Sequence, residues 1–191
     1  MTTSPRRPAL TGVWPVLIVL LALSGCRQPA AQIELIAYDD PYFPETSSLK
    51  FAHSSYHLDA SGDLHIACAL QEPAPGEQNP TRRLLHVHVF WPVRPGLTFA
   101  DKTGINATIR YLVAGPQGSA LYTGTGFVYC RKSGGKRISA ALESGRLRLQ
   151  TQSGTPAELR DARISGKLRP QLDGLATVDL IRELELCAGI R

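Results

Sequence analysis

All five histidines of this 191-residue chain, His53, His57, His65, His86 and His88, fall within 36 positions. Imidazole is a common ligand for transition metals and gains or loses its proton near neutral pH, so this cluster holds more potential chemistry than any other stretch. His86 and His88 lie in RLLHVHVFW, where Leu85, Val87, Val89 and Trp91 alternate with Leu84, His86, His88 and Phe90. A strand places the two histidines on one face, roughly 6.5–7 Å apart, a spacing at which both rings reach a common ion. His65 lies on the expected hairpin partner of the segment carrying His57. The expected three-ligand set is therefore His86, His88 and His65, with His57 as the other third ligand, and such donors suit Zn, Cu or Ni. The plainer reading has no cofactor: His86 and His88 are then polar residues on the solvent face of a half-buried strand. No carboxylate is expected beside the pair to support it, and Asp59, Asp63 and Asp101 read as turn residues that bond their own backbone.

Other reactive groups are sparse. The chain lacks GxSxG, which leaves hydrolase chemistry of that kind unsupported, and the expected role is non-enzymatic. Cys26, Cys68, Cys130 and Cys187 are too widely spaced for a CxxC redox motif or a zinc knuckle. Cys68, Cys130 and Cys187 are the disulfide candidates, with any of three pairings leaving one thiol over. Trp91, Tyr111, Tyr122, Phe127 and Tyr129 would form a carbohydrate platform if they faced outward, but their alternation with apolar neighbours favours core packing. Asn106-Ala107-Thr108 matches a glycosylation sequon and reads as a chance match.

The elements that must position these residues follow a period of two. DLHIACAL sets Leu64, Ile66, Cys68 and Leu70 opposite His65, Ala67 and Ala69, after a turn at Asp59-Ala60-Ser61-Gly62. INATIRYLV places Ile105, Ala107, Ile109, Tyr111 and Val113 on one face, and SALYTGTGFVYC carries Gly124 and Gly126 where a bulge or a close approach is expected. RISAALE and RLRLQT read as two strands joined by a two-residue Ser144-Gly145 loop. The final segment, ATVDLIRELELC, reads as a strand with Val178, Leu180, Leu184 and Leu186 together; a helix is the alternative, since Leu180 and Leu184 are four apart. About eight to nine short strands separated by turn signals predict an all-β fold, an antiparallel β-sandwich or barrel.

The N-terminal region has the layout of an export signal: Arg6 and Arg7, then the apolar run at residues 13–23, then Leu23-Ser24-Gly25-Cys26. The run is too short to cross a hydrocarbon core, which needs about 20 residues. The Leu-Ser-Gly-Cys tetrapeptide resembles the lipobox of bacterial lipoproteins. That resemblance covers the signal only; it implies removal of residues 1–25 and lipidation of Cys26, and anchors the protein in a periplasm-facing cell envelope membrane. Arg27 in place of Asp after the Cys implies, by the same resemblance, the outer membrane over the inner. The expected organisation is a signal peptide at 1–25, a lipidated Cys with a tether at 26–48 that includes a short strand at Ile33–Tyr38, and a β-sandwich domain at 49–191.

Composition narrows the partners. The chain has 21 basic and 16 acidic side chains, +5 in all, and loss of Arg6 and Arg7 leaves 19 against 16, or +3. With no sustained basic run, nucleic acid is not an expected partner. The only methionine is Met1, so the mature chain has no thioether for Cu(I). The expected partners are the membrane through Cys26, and a protein, small-molecule or carbohydrate ligand whose identity the sequence leaves open.

Overall fold

The computed structural model describes residues 29–38, 42, 44–73, 80–90, 104–132, 134–154 and 159–189. The strands are β1 (Ala31–Ala37), β2 (Glu45–Phe51), β3 (His53–Leu58), β4 (Leu64–Glu72), β5 (Thr81–Val89), β6 (Ala107–Gly115), β7 (Gly118–Lys132), β8 (Ile138–Gly154), β9 (Asp161–Leu168) and β10 (Gln171–Leu172), followed by helix α1 (Gly174–Cys187). They form one ten-stranded sheet in the order β10-β3-β4-β5-β6-β7-β8-β9-β1-β2. Every pairing is antiparallel except that of the two-residue β10 with β3. The all-β expectation therefore holds. In place of two packed sheets there is a single sheet curled into a half-barrel, because each strand from β3 to β9 pairs with the next and none crosses to a second layer.

Alternation decides which side is the core. Ile33, Leu35, Phe51, Ile66, Leu85, Val87, Ile109, Tyr111 and Tyr122 point into the curl and are buried. Each large apolar side chain so buried contributes roughly 1.5–3 kcal/mol. Ala31, Ala37, Ala107, Ala140 and Ala162 share that face, and their small side chains leave room for tight curvature.

Two neighbouring strands bend the sheet further. β8 runs unbroken through Ser144 and Gly145, so the expected two-residue hairpin loop is instead a bulge. The reason is β7: its 15 residues pair with both halves of β8, Phe127 opposite Glu143 and Thr125 opposite Arg146, across a register shift of their own. Ser144 takes up the extra residue at φ 53°. Gly124 has no room for a side chain, since a Cβ there would meet the Arg146 carbonyl. Asn106 stitches the same region, its Nδ2 donating to the Val128 carbonyl at 2.9 Å and its Oδ1 accepting from Val128 N at 2.7 Å.

The final segment is helical. Asp173 caps it by accepting from Ala176 N at 3.0 Å, and Thr177 and Leu184 are its buried residues, while Val178 and Leu186 are exposed. The helical period wins over the alternating one because Leu184 then packs with Ala69, Leu84, Leu112 and Leu121 and covers part of the outer face. Thr177 Oγ1 also donates to Ser55 Oγ at 2.9 Å.

The stretch read as a tether begins the sheet. The strand expected at Ile33–Tyr38 is β1, held between β2 and β9, and β2 starts at Glu45, before the expected domain boundary at 49. The expected disulfide is absent: Cys68, Cys130 and Cys187 are all free. Cys68 on β4 and Cys130 on β7 are three strand steps apart, on the order of 14 Å along the sheet, beyond the reach of a disulfide. Burial pushes both thiols up to about 12, so they are inert core residues. Cys187 is exposed at the end of α1.

Candidate metal centre

The turn at Asp59–Gly62 joins β3 to β4 in a register that sets His57 opposite His65, and the β4–β5 pairing sets His65 opposite His88. Three histidines thus stand in one cross-strand row on the outer face. His86, two residues back along β5, lies opposite Ala67, whose small side chain leaves its ring free to lean toward His65. The rings stack nearly parallel: His57 and His65 have centroids 4.8 Å apart, His65 and His88 4.3 Å, His65 and His86 5.4 Å.

Hydrogen bonds fix their orientation. His65 Nδ1 and His86 Nε2 lie 3.1 Å apart and share a proton, while His65 Nε2 faces Asp59 Oδ2 at 3.4 Å. His88 Nε2 is 3.0 Å from Asp63 Oδ2. Asp59 Oδ1 meanwhile accepts from Ser61 N at 2.8 Å and Asp63 N at 2.9 Å. It therefore performs the expected turn chemistry with one oxygen and meets the histidines with the other. One ligand atom each from Asp59, His65 and His88 lies within 4.8 Å of the other two. Their side chains are 34%, 17% and 30% exposed, so the group is half-buried and open to solvent.

Electrostatics keep two of the imidazoles neutral. His86 is buried, and its pKa is pushed down to about 3 by desolvation first, then by the neighbouring His65 and Arg110 charges. His65 is lowered by desolvation and by His88, against the opposing pull of Asp59. Desolvation raises the Asp59 carboxyl, but donation from Asp63 N, the His65 side chain and Ser61 N outweighs it, and the group ends below its ordinary value. Neutral rings beside an ionised carboxylate are the protonation states in which metal ligands bind.

All three expected ligands, His65, His86 and His88, are brought together, but not as one ligand set. His86 stands behind His65 and bonds to it, and the ligand atoms that converge come from Asp59, His65 and His88. His57 stacks on His65, with its Nδ1 buried and lacking a hydrogen-bond partner among the described residues; His53 is exposed at the start of β3. The expectation that no carboxylate accompanies the pair is corrected by Asp59 and Asp63. One signal for them was in the sequence: Asp63 is two residues before His65, so a strand extended through it puts both on one face.

The other candidates separate from this centre. Tyr111 and Tyr122 are fully buried and Phe127 nearly so, while Arg131 stacks on the Tyr129 ring at 5.0 Å. These aromatics form no outward carbohydrate platform. Trp91, Asp101 and Cys26 lie outside the described residues. No described helix is long and apolar enough to cross a membrane. Compared with protein-family models, with curated proteins and with solved structures, the chain matches none.

Proposed function

We propose that this protein is a lipid-anchored envelope lipoprotein whose half-barrel binds a divalent transition metal through Asp59, His65 and His88. The observation that carries the metal reading is the convergence of three ligand atoms within 4.8 Å from the β3–β4 turn, β4 and β5. Two imidazoles and a carboxylate suit zinc and leave its fourth tetrahedral position open. Each ring is gripped on one nitrogen by a residue outside the triad, His65 by His86 and His88 by Asp63, the arrangement that orients histidine ligands and leaves the other nitrogen for the ion. The role is binding or carrying metal. The Leu-Ser-Gly-Cys tetrapeptide supports the anchor, and Arg27 after it supports the outer membrane over the inner.

Untagged protein, titrated with zinc by calorimetry, should take up one equivalent, and the His65→Ala, His88→Ala double variant none. Equal uptake by both, or none by the parent after reloading, would overturn the metal reading. For the anchor, Cys26→Ser should abolish incorporation of labelled palmitate and release the protein from membranes; unchanged incorporation would refute lipidation at Cys26.

The nearly parallel stacking of the rings favours one second reading, a binding or structural module whose histidines form a self-satisfied polar ladder. A zinc-free parent of unchanged stability would select it.

A further inference from the structure

On the outer face of β8 and β9, Arg146 stands directly opposite Arg163. Like charges in that position repel, and nothing in the sheet requires them, since both residues are exposed and leave the core to Leu147 and Ala162. Among the described residues neither guanidinium has an ion-pair partner. Arg163 Nη2 donates to Ser144 Oγ at 3.3 Å, and Ser144 is the one described non-glycine residue at positive φ. The bulge thus turns a hydroxyl toward the arginines.

These groups line an open cleft of about 450 Å³, together with Tyr38, Arg148 and Asp161. Among the described lining residues Asp161 is the only carboxylate, and it is already matched by Arg148, with Nε 3.6 Å from Oδ1. Among the described residues three guanidiniums face one carboxylate, which leaves the charges of Arg146 and Arg163 without a described counterion. Guanidinium cannot shed its proton and presents a planar fork of donors that fits a phosphate's oxygens, and the Ser144 and Tyr38 hydroxyls add neutral donors at the rim.

We propose that this cleft binds a phosphomonoester group, its dianion held between Arg146 and Arg163. Two positive charges match two negative ones, and bound phosphate turns a repulsive cross-strand pair into a bridged one. The site is separate from the histidine centre and does not depend on the metal reading.

The test uses the full chain in detergent and three probes: inorganic phosphate, glycerol 3-phosphate, and phosphatidylcholine vesicles with or without phosphatidic acid. Arg146→Ser, Arg163→Ser is the variant, and the circular dichroism spectrum and the thermal midpoint serve as controls for folding. Saturable binding of the two soluble probes, weakened about tenfold or more in the double variant as expected for loss of charge-assisted hydrogen bonds, supports the site and assigns it a soluble ligand. Variant-sensitive binding to phosphatidic acid vesicles alone supports it and assigns a lipid headgroup. Binding of every probe that is equal in parent and variant, or absent from both, overturns it. A Ser144→Ala variant that retains the arginines should weaken binding less than the double variant does.

Discussion

The histidines of β3–β5 and the arginines of β8–β9 occupy one continuous row on the same outer face. The register runs His57, His65, His88, Thr108, Thr125, Arg146, Arg163. At one end the polar groups are half-buried and bonded to one another and to a carboxylate turn; at the other they are exposed and mutually repulsive. The difference lies in the proton. An imidazole can be neutral, so the rings stack and His65 bonds to His86, whereas a guanidinium is always charged and two of them side by side repel. The first end is thus suited to a cation and the second to an anion.

The largest expected effect would break the histidine side of this comparison. Without metal, stability should fall as pH drops from about 6.5 toward about 3. The folded His86 takes its proton only near about 3, below the ordinary 6.5, so through that window the unfolded chain binds the extra proton and gains. One such group gives a slope of up to about 1.4 kcal/mol per pH unit. Urea denaturation of the parent and of His86→Leu across this range should show a flatter dependence in the variant; an unchanged slope would mean that His86 is not held neutral.

Next in size is the bulge beneath the arginines. A methyl at Gly145 would meet Ile164 Cγ2 at 2.6 Å and Ile109 Cδ1 at 2.8 Å, so Gly145→Ala should cost about 1–3 kcal/mol. Because the displaced bulge carries Ser144, phosphate binding should weaken while zinc binding stays. Loss of both together would show that the two ends of the row are not independent.

A comparable change sharpens the role of His86. His86→Ala should weaken zinc binding about 10–100-fold, the range expected when the residue that orients a ligand is removed. His86→Gln, which can still bond to His65, should recover part of it. No weakening in the alanine variant would make His86 a bystander. The smallest effect lies at the other end: Arg146→Thr should stabilise the protein by about 0.2–1 kcal/mol through loss of like-charge repulsion, read from a chemical-denaturation midpoint at low salt.

Much of the fold was legible. In β4, β5 and β6 the alternation of Leu64, Ile66 and Cys68, of Leu85, Val87 and Val89, and of Ala107, Ile109 and Tyr111 marks the buried face, because one face of a curled sheet must be apolar, while Ile105, read onto the same face, lies ahead of β6 and is exposed. Ser144-Gly145 and the last segment, which the pattern leaves open between strand and helix, are ambiguous for local reasons. Serine and glycine suit a hairpin loop and a bulge equally, and Leu180 with Leu184 fits two periods until a partner surface selects one.

The candidate site was half legible. The histidine density and the shared face of His86 and His88 are properties of spacing, and they pointed to the right three strands. Asp59 looked like a turn residue because it is one, and its second oxygen gained a role only when the turn folded back over His65.

By itself the sequence determined the period-two core, the turn after β3 and the face on which His65, His86 and His88 lie, since these depend only on strand geometry and residue type. Only the tertiary structure decided that β4 lies beside β5, that His86 bonds to His65 while Asp59 converges with His65 and His88, and that Arg146 meets Arg163. Cross-strand register arises from the packing of the whole curled sheet, and a shift of one residue would have turned each of these side chains to the other face.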